Sequence, residues 1–121
     1  GVLFLRHDRE TWAKLCFEYS PQRQGMIVSV VNNRVSDDAN AFTIDGDHAY
    51  LRVSRKGRVF AFHASLDGER WILIRAFSLP NADKPLEIGF EAQSPQSDGC
   101  DVVFDEPRLV ERTISDFRDE S

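Results

Sequence analysis

Apolar side chains in this chain recur at every second position, in short runs cut off by turn-forming residues. A period of two places alternate side chains on opposite faces of an extended strand. The runs are Val2–Arg6, Trp12–Tyr19, Gly25–Val31, Ala41–Ile44, His48–Arg55, Arg58–Ser65, Arg70–Phe77, Leu86–Gln93 and Cys100–Val110. Between them stand Ser20-Pro21, Asp45-Gly46-Asp47, Lys56-Gly57, Asp67-Gly68, Pro80-Asn81, Ser94-Pro95 and Asp98-Gly99, which favour turns. Strands at roughly ten-residue spacing predict an all-β, two-sheet antiparallel sandwich over residues 1–110. Residues 111–121 lose the alternation and read as a polar, loosely held C-terminal tail.

Composition narrows the function. A chain of 121 residues with 41% hydrophobic and 29% charged residues suits one globular domain. Its net charge of −5 argues against nucleic acid as a partner, and no apolar run approaches the ~18 residues of a membrane span. The chain enters its first strand directly at Val2, so a processed product or fragment is expected. Cys16 and Cys100 form no CxxC pair and sit in apolar patterns, which predicts buried, inert thiols and a reducing, cytoplasmic setting.

Alternation also sorts side chains by face. In Trp12–Tyr19, Ala13, Leu15, Phe17 and Tyr19 form the core set, leaving Trp12, Lys14, Cys16 and Glu18 opposite. In Arg58–Ser65, Phe60, Phe62 and Ala64 point inward and His63 outward. In Arg70–Phe77, Ile72, Ile74 and Ala76 oppose Trp71, Leu73, Arg75 and Phe77. One kind of sheet surface is thus greasy, and the other is semi-polar with aromatic and charged groups.

Five ordered pieces carry a family resemblance: Lys14-x-x-x-Glu18, Ser29 to Asp38, Tyr50 to Gly57, Ser65 to Trp71, and Ser94 to Gly99. Together they resemble the domain-of-unknown-function family that includes the regulation-of-enolase proteins. That resemblance covers about residues 2–110 and implies a concanavalin A-like jelly roll. The family carries about sixty further residues before the point where this chain opens, so the resemblance implies a sandwich truncated at its amino terminus. It further implies an unpaired sheet edge through which a homodimer could form. The family's S-D-W is replaced here by Ser36-Asp37-Asp38.

Catalytic patterns are sparse. Glycoside hydrolysis needs two carboxylates within ~10 Å, and sandwich glucanases commonly set theirs as E-x-D-x-x-E on one strand. That triplet is absent; Glu87 and Glu91 would stand about 13 Å apart along a strand, while Glu18 with Glu91 is left as a cross-strand pair. Nucleophile elbows and phosphate loops are absent too, and His7, His48 and His63 are too dispersed to suggest a metal site. Ser65 to Trp71 reads as a hairpin whose Asp67 carboxylate takes turn N–H groups and whose Trp71 covers the turn.

The function expected is non-catalytic binding of a carbohydrate or similar polar ligand, without cofactor or metal. Sugars offer apolar C–H faces and directional hydroxyls, so their sites mix aromatic rings with polar side chains. The ligand-binding candidates are Trp12, Lys14, Glu18, Asn33, Asp37, Arg52, His63 and Arg75, with Glu18 and Arg52 on one shared sheet face. Asn33 and Asp37 belong to a polar loop, Asn32–Asp38, at the rim. The alternatives are a protein-interaction or metabolic regulatory module of the enolase-regulator type and, behind it, a glycoside hydrolase.

Overall fold

A computed structural model describes residues 1–81 and 83–119. Among these the chain is all-β. Its strands are β1 (Val2–Arg6), β2 (Thr11–Tyr19), β3 (Gly25–Asn33), β4 (Val35–Ile44), β5 (Tyr50–Lys56), β6 (Val59–Ser65), β7 (Ile72–Ser78) and β8 (Glu87–Glu91). They form two antiparallel sheets, one of five strands in the order β4-β3-β2-β1-β8 and one of three in the order β5-β6-β7. The sheets pack face to face, with β5 against β1 and β7 against β3.

Most of the predicted inward residues make the core, but Tyr19, expected among them, is 74% exposed at the end of β2, where it pairs with Gly25 and has no side chain opposite it. Leu3, Leu5, Ala13, Leu15, Ile27 and Val31 of the larger sheet meet Phe60, Phe62 and Ala64 of the smaller. Phe77 packs its ring 5.6 Å from Phe60 and 4.8 Å from Phe62. Each such side chain withdrawn from water contributes about 1.5–3 kcal/mol, which is why two apolar faces close on each other.

Four local features depart from the sequence reading. The expected loop Asn32–Asp38 is a hairpin: β3 runs to Asn33, Arg34 turns in the left-handed region (φ 65°), and β4 starts at Val35. Residues 35–41 are exposed on both faces because β4 lies at the sheet edge, so no apolar alternation marks them as a strand. The expected strand Cys100–Val110 forms none. Its Phe104 instead stacks on Phe90 at 5.1 Å, and Val102 lies against Gly1. Cys100 is therefore exposed, while Cys16 is buried; both thiols are free.

On β7, one extra residue, Ile74, interrupts the pairing with β6, so that Arg75 lies opposite Phe62 and Leu73 opposite His63. Such a bulge exchanges the faces of the residues that follow it. Arg75 and Phe77 thereby turn to the inner side, against the strict alternation. The tail also has a defined path. Ile114 is buried, Lys56 Nζ donates to the Ser115 carbonyl (2.8 Å), and His63 Nε2 donates to the Phe117 carbonyl (2.8 Å), so residues 114–117 cross the outer face of the three-stranded sheet.

Candidate functional site

The five-stranded sheet turns outward a surface built in rows of paired residues. One row reads Gly89, Phe4, Lys14, Val30, Asp38; the next reads Glu87, Arg6, Trp12, Asn32, Ser36; a third reads Glu91, Val2, Cys16, Val28, Asn40. Val2, Cys16 and Val28 are buried although they face away from the main core, with Phe4 and Met26 packed against them. Burial pushes the Cys16 thiol up to about 12, so it is a packing group and not a nucleophile.

On that apolar base stands an aromatic and polar cluster. Trp12 stacks on Phe4 with ring centres 5.8 Å apart and planes at 30°. Lys14 Nζ lies 5.9 Å from the Trp12 ring centre. The Gln93 amide links Lys14 to a carboxylate: its oxygen accepts from Lys14 Nζ at 3.3 Å and its nitrogen donates to Glu91 Oε1 at 3.0 Å. Beside Phe4 and Lys14, Gly89 leaves the sheet bare, and a Cβ there would meet nothing within 4 Å. The result is an open stretch of edge-strand backbone at Gly89 next to the Phe4–Trp12 rings, with the ammonium, amide and carboxylate linked along the same face. Arg6 and Lys14 share this face with Asp38, Glu18, Glu87 and Glu91, so its field repels anions.

Glu18 lies on the same face but beside Met26, three rows from Trp12 and about 20 Å along the strand at ~3.4 Å per residue. Its backbone stands about 12 Å from that of Glu91 by strand spacing. Arg52 and His63, neighbours across β5 and β6, belong to the outer face of the other sheet. The core lies between them and Trp12, so Glu18 and Arg52 share no surface. Asp37 and Arg75 form an ion pair at the sandwich edge. The eight candidates thus divide among four places, and Trp12 and Lys14 alone meet at the cluster. Phe4, Gly89, Glu91 and Gln93 were not legible as its members: Phe4 sits in a run apolar at every position, and a glycine's contribution is the side chain it lacks.

A family model described as "Protein of unknown function (DUF1349)" matches residues 1–112. The chain belongs to the DUF1349 family. Among solved structures, this DUF1349 chain is similar to a functionally unknown protein from Saccharomyces cerevisiae, at 29% identity and a TM-score of 0.61. That match covers 72% of this chain and 46% of the yeast chain, so the DUF1349 chain spans under half of its neighbour's length. No curated protein matches it.

Two further places in this DUF1349 chain hold sequence-predicted residues. At one end of the sandwich an open cleft of about 550 Å³ is lined by Asp8, Glu10, Thr11, Asn33, Arg34, Pro80, Asn81 and Lys84. Its charges are engaged with one another: Lys84 Nζ lies 3.3 Å from Asp8 Oδ2, and Arg34 Nε lies 3.8 Å from Glu10 Oε2. The Glu10 N–H, with Thr11 and Lys84, holds the Asp8 carboxyl below its usual range. On the outer face of the three-stranded sheet, the Arg52 guanidinium lies 4.3 Å above the Trp71 ring. Trp71 thus backs Arg52, and Tyr50 is the ring that covers the hairpin at Gly68. His63 is fully buried there; burial lowers its pKa, the bond to the Phe117 carbonyl partly offsets this, and Arg52 adds to the fall. Among the described residues no group of three or more His, Cys, Asp or Glu is placed to hold a metal ion.

Proposed function

We propose that this DUF1349 domain binds a neutral carbohydrate, without cleaving it, on the outer face of its five-stranded sheet. The observation that carries the reading is the Phe4–Trp12 stack beside the bare backbone of Gly89, with Lys14, Gln93 and Glu91 linked along the same face. An indole edge and a flat floor suit the apolar face of a pyranose ring, and the ammonium, amide and carboxylate supply donors and acceptors for its hydroxyls. The four carboxylates on the face favour an uncharged sugar over a uronate or phosphate.

The test is a glycan-array screen of the wild-type chain, followed by calorimetry with the best neutral hit on two variants. Trp12→Ala is expected to lose about tenfold in affinity, the equivalent of ~1.4 kcal/mol. Gly89→Leu should cover the open backbone and abolish binding while leaving the melting temperature within a few degrees, because nothing stands where the new Cβ goes. An array with no neutral hit, or a Gly89→Leu variant that binds its glycan unchanged, would refute the reading.

A further inference from the structure

The C-terminal segment lies on the three-stranded sheet in the manner of a bound peptide. Its main-chain oxygens are the acceptors, Ser115 O from Lys56 Nζ and Phe117 O from His63 Nε2, each at 2.8 Å. Its anchors are the buried Ile114 and the Phe117 ring, 6.5 Å from the His63 ring. Among the described residues it makes no main-chain hydrogen bond to β5, β6 or β7, so it docks without extending the sheet. Few contacts on a segment whose other side chains are mostly exposed make local opening easy.

The seat beneath it is built for more than covering a sheet. Its outward strand residues include Arg52 and Lys56 but no carboxylate, in a chain of net charge −5. The segment over it carries Arg112 and Arg118 as well as Asp116 and Asp119, and the Asp116 carboxylate accepts from the Arg118 N–H (2.9 Å). The tail also leaves the seat incompletely satisfied: His63 Nδ1 is buried with no hydrogen-bond partner. With the ring proton on Nε2, Nδ1 is an acceptor that suits a donor the tail does not provide.

We propose that this face is a peptide-recognition surface, and that residues 112–119 occupy it as an internal competitor. The partner it fits is a peptide carrying an apolar residue three positions before an aromatic one, the pattern of Ile114 and Phe117. A tether of this length holds the tail at an effective concentration of order 1 mM. A face that the tail closes about ten to one binds an outside peptide about tenfold more weakly than an open one, so loosening the tail raises that affinity by the same factor.

The probe is a fluorescein-labelled peptide of sequence ERTISDFRDES, titrated by anisotropy into the full chain. Wild type is expected to bind it about tenfold more weakly than the Ile114→Ser/Phe117→Ser chain. A peptide with serine in place of its phenylalanine should bind neither. Because Ile114 is buried, the single Phe117→Ser chain is titrated as well; its side chain is only partly buried and lies outside the main core. Folded variants that bind the probe no better than wild type overturn the proposal. So does hydrogen exchange in which tail amides open only with global unfolding.

Discussion

Arg75 and Asp37 fasten the two sheets together at the edge of the sandwich: Arg75 Nη2 lies 3.0 Å from Asp37 Oδ1, and Nη1 donates to the Asp37 carbonyl at 3.3 Å. The bulge at Ile74 makes this contact by turning Arg75 inward, toward the strand of Asp37.

The pair is asymmetric, since the Arg75 side chain is 18% exposed and that of Asp37 is 72% exposed. Removing the carboxylate strands a largely buried guanidinium, so Asp37→Ala is expected to lower stability by about 1 kcal/mol. Asp37→Asn, which keeps an acceptor, should lose less. Urea midpoints for the two variants check the ranking, and equal losses would show that the carboxylate charge carries the effect.

Gly25 opens β3 in a place with no room for a side chain. A Cβ there would stand 2.9 Å from the Ile44 carbonyl oxygen and 2.9 Å from Phe17 Cε2. The backbone oxygen belongs to the paired strand and cannot rotate away, so Gly25→Ala should destabilise by about 1–3 kcal/mol. An unchanged melting temperature would mean that β4 shifts freely there.

Acid should weaken the fold through Asp67. The N–H groups of Arg70 and Glu69 donate to its carboxylate at 2.9 and 2.8 Å and, with Ser65, hold its pKa below the usual range. A carboxyl with a lower pKa folded than unfolded adds stability above about pH 4, and that stability is lost as pH falls through the folded value. Melting temperatures taken down to pH 3 should therefore drop more steeply for wild type than for Asp67→Asn. Parallel curves would remove Asp67 from the account.

The two thiols should differ sharply in reactivity. Cys16 is buried, with its pKa pushed up to about 12, whereas Cys100 is exposed. Titration with a disulfide reagent at pH 8 should register one fast thiol per native chain and a second only in denaturant. Two fast thiols in the native protein would mean that the apolar layer around Val2 and Val28 opens readily.

Much of the architecture was legible because burial writes itself into alternation. Leu15, Phe60, Phe62 and Ala64 are inward in the sequence pattern and inward in the structure. The pattern fell silent at Val35 to Ala41, where an edge strand exposed on both faces has no reason to alternate. It misled at Arg75 and Phe77, where one bulge residue exchanges the faces without leaving a mark in composition. The candidate site was harder still. Alternation reports that Trp12, Arg52 and His63 each leave the core, but which sheet a strand joins depends on pairing between distant segments. Hence Trp12 and Lys14 were found together, while Glu18 and Arg52 were assigned a common surface they do not have.

The opposed outer faces carry a consequence of their own. Trp12 and Arg52 look out from opposite sides of two sheets packed about 10 Å apart, so an occupant of one side does not obstruct the other. With both proposed ligands in place, the domain would act as a connector between them. Holding two unlike molecules back to back, it would raise the local concentration of each around the other.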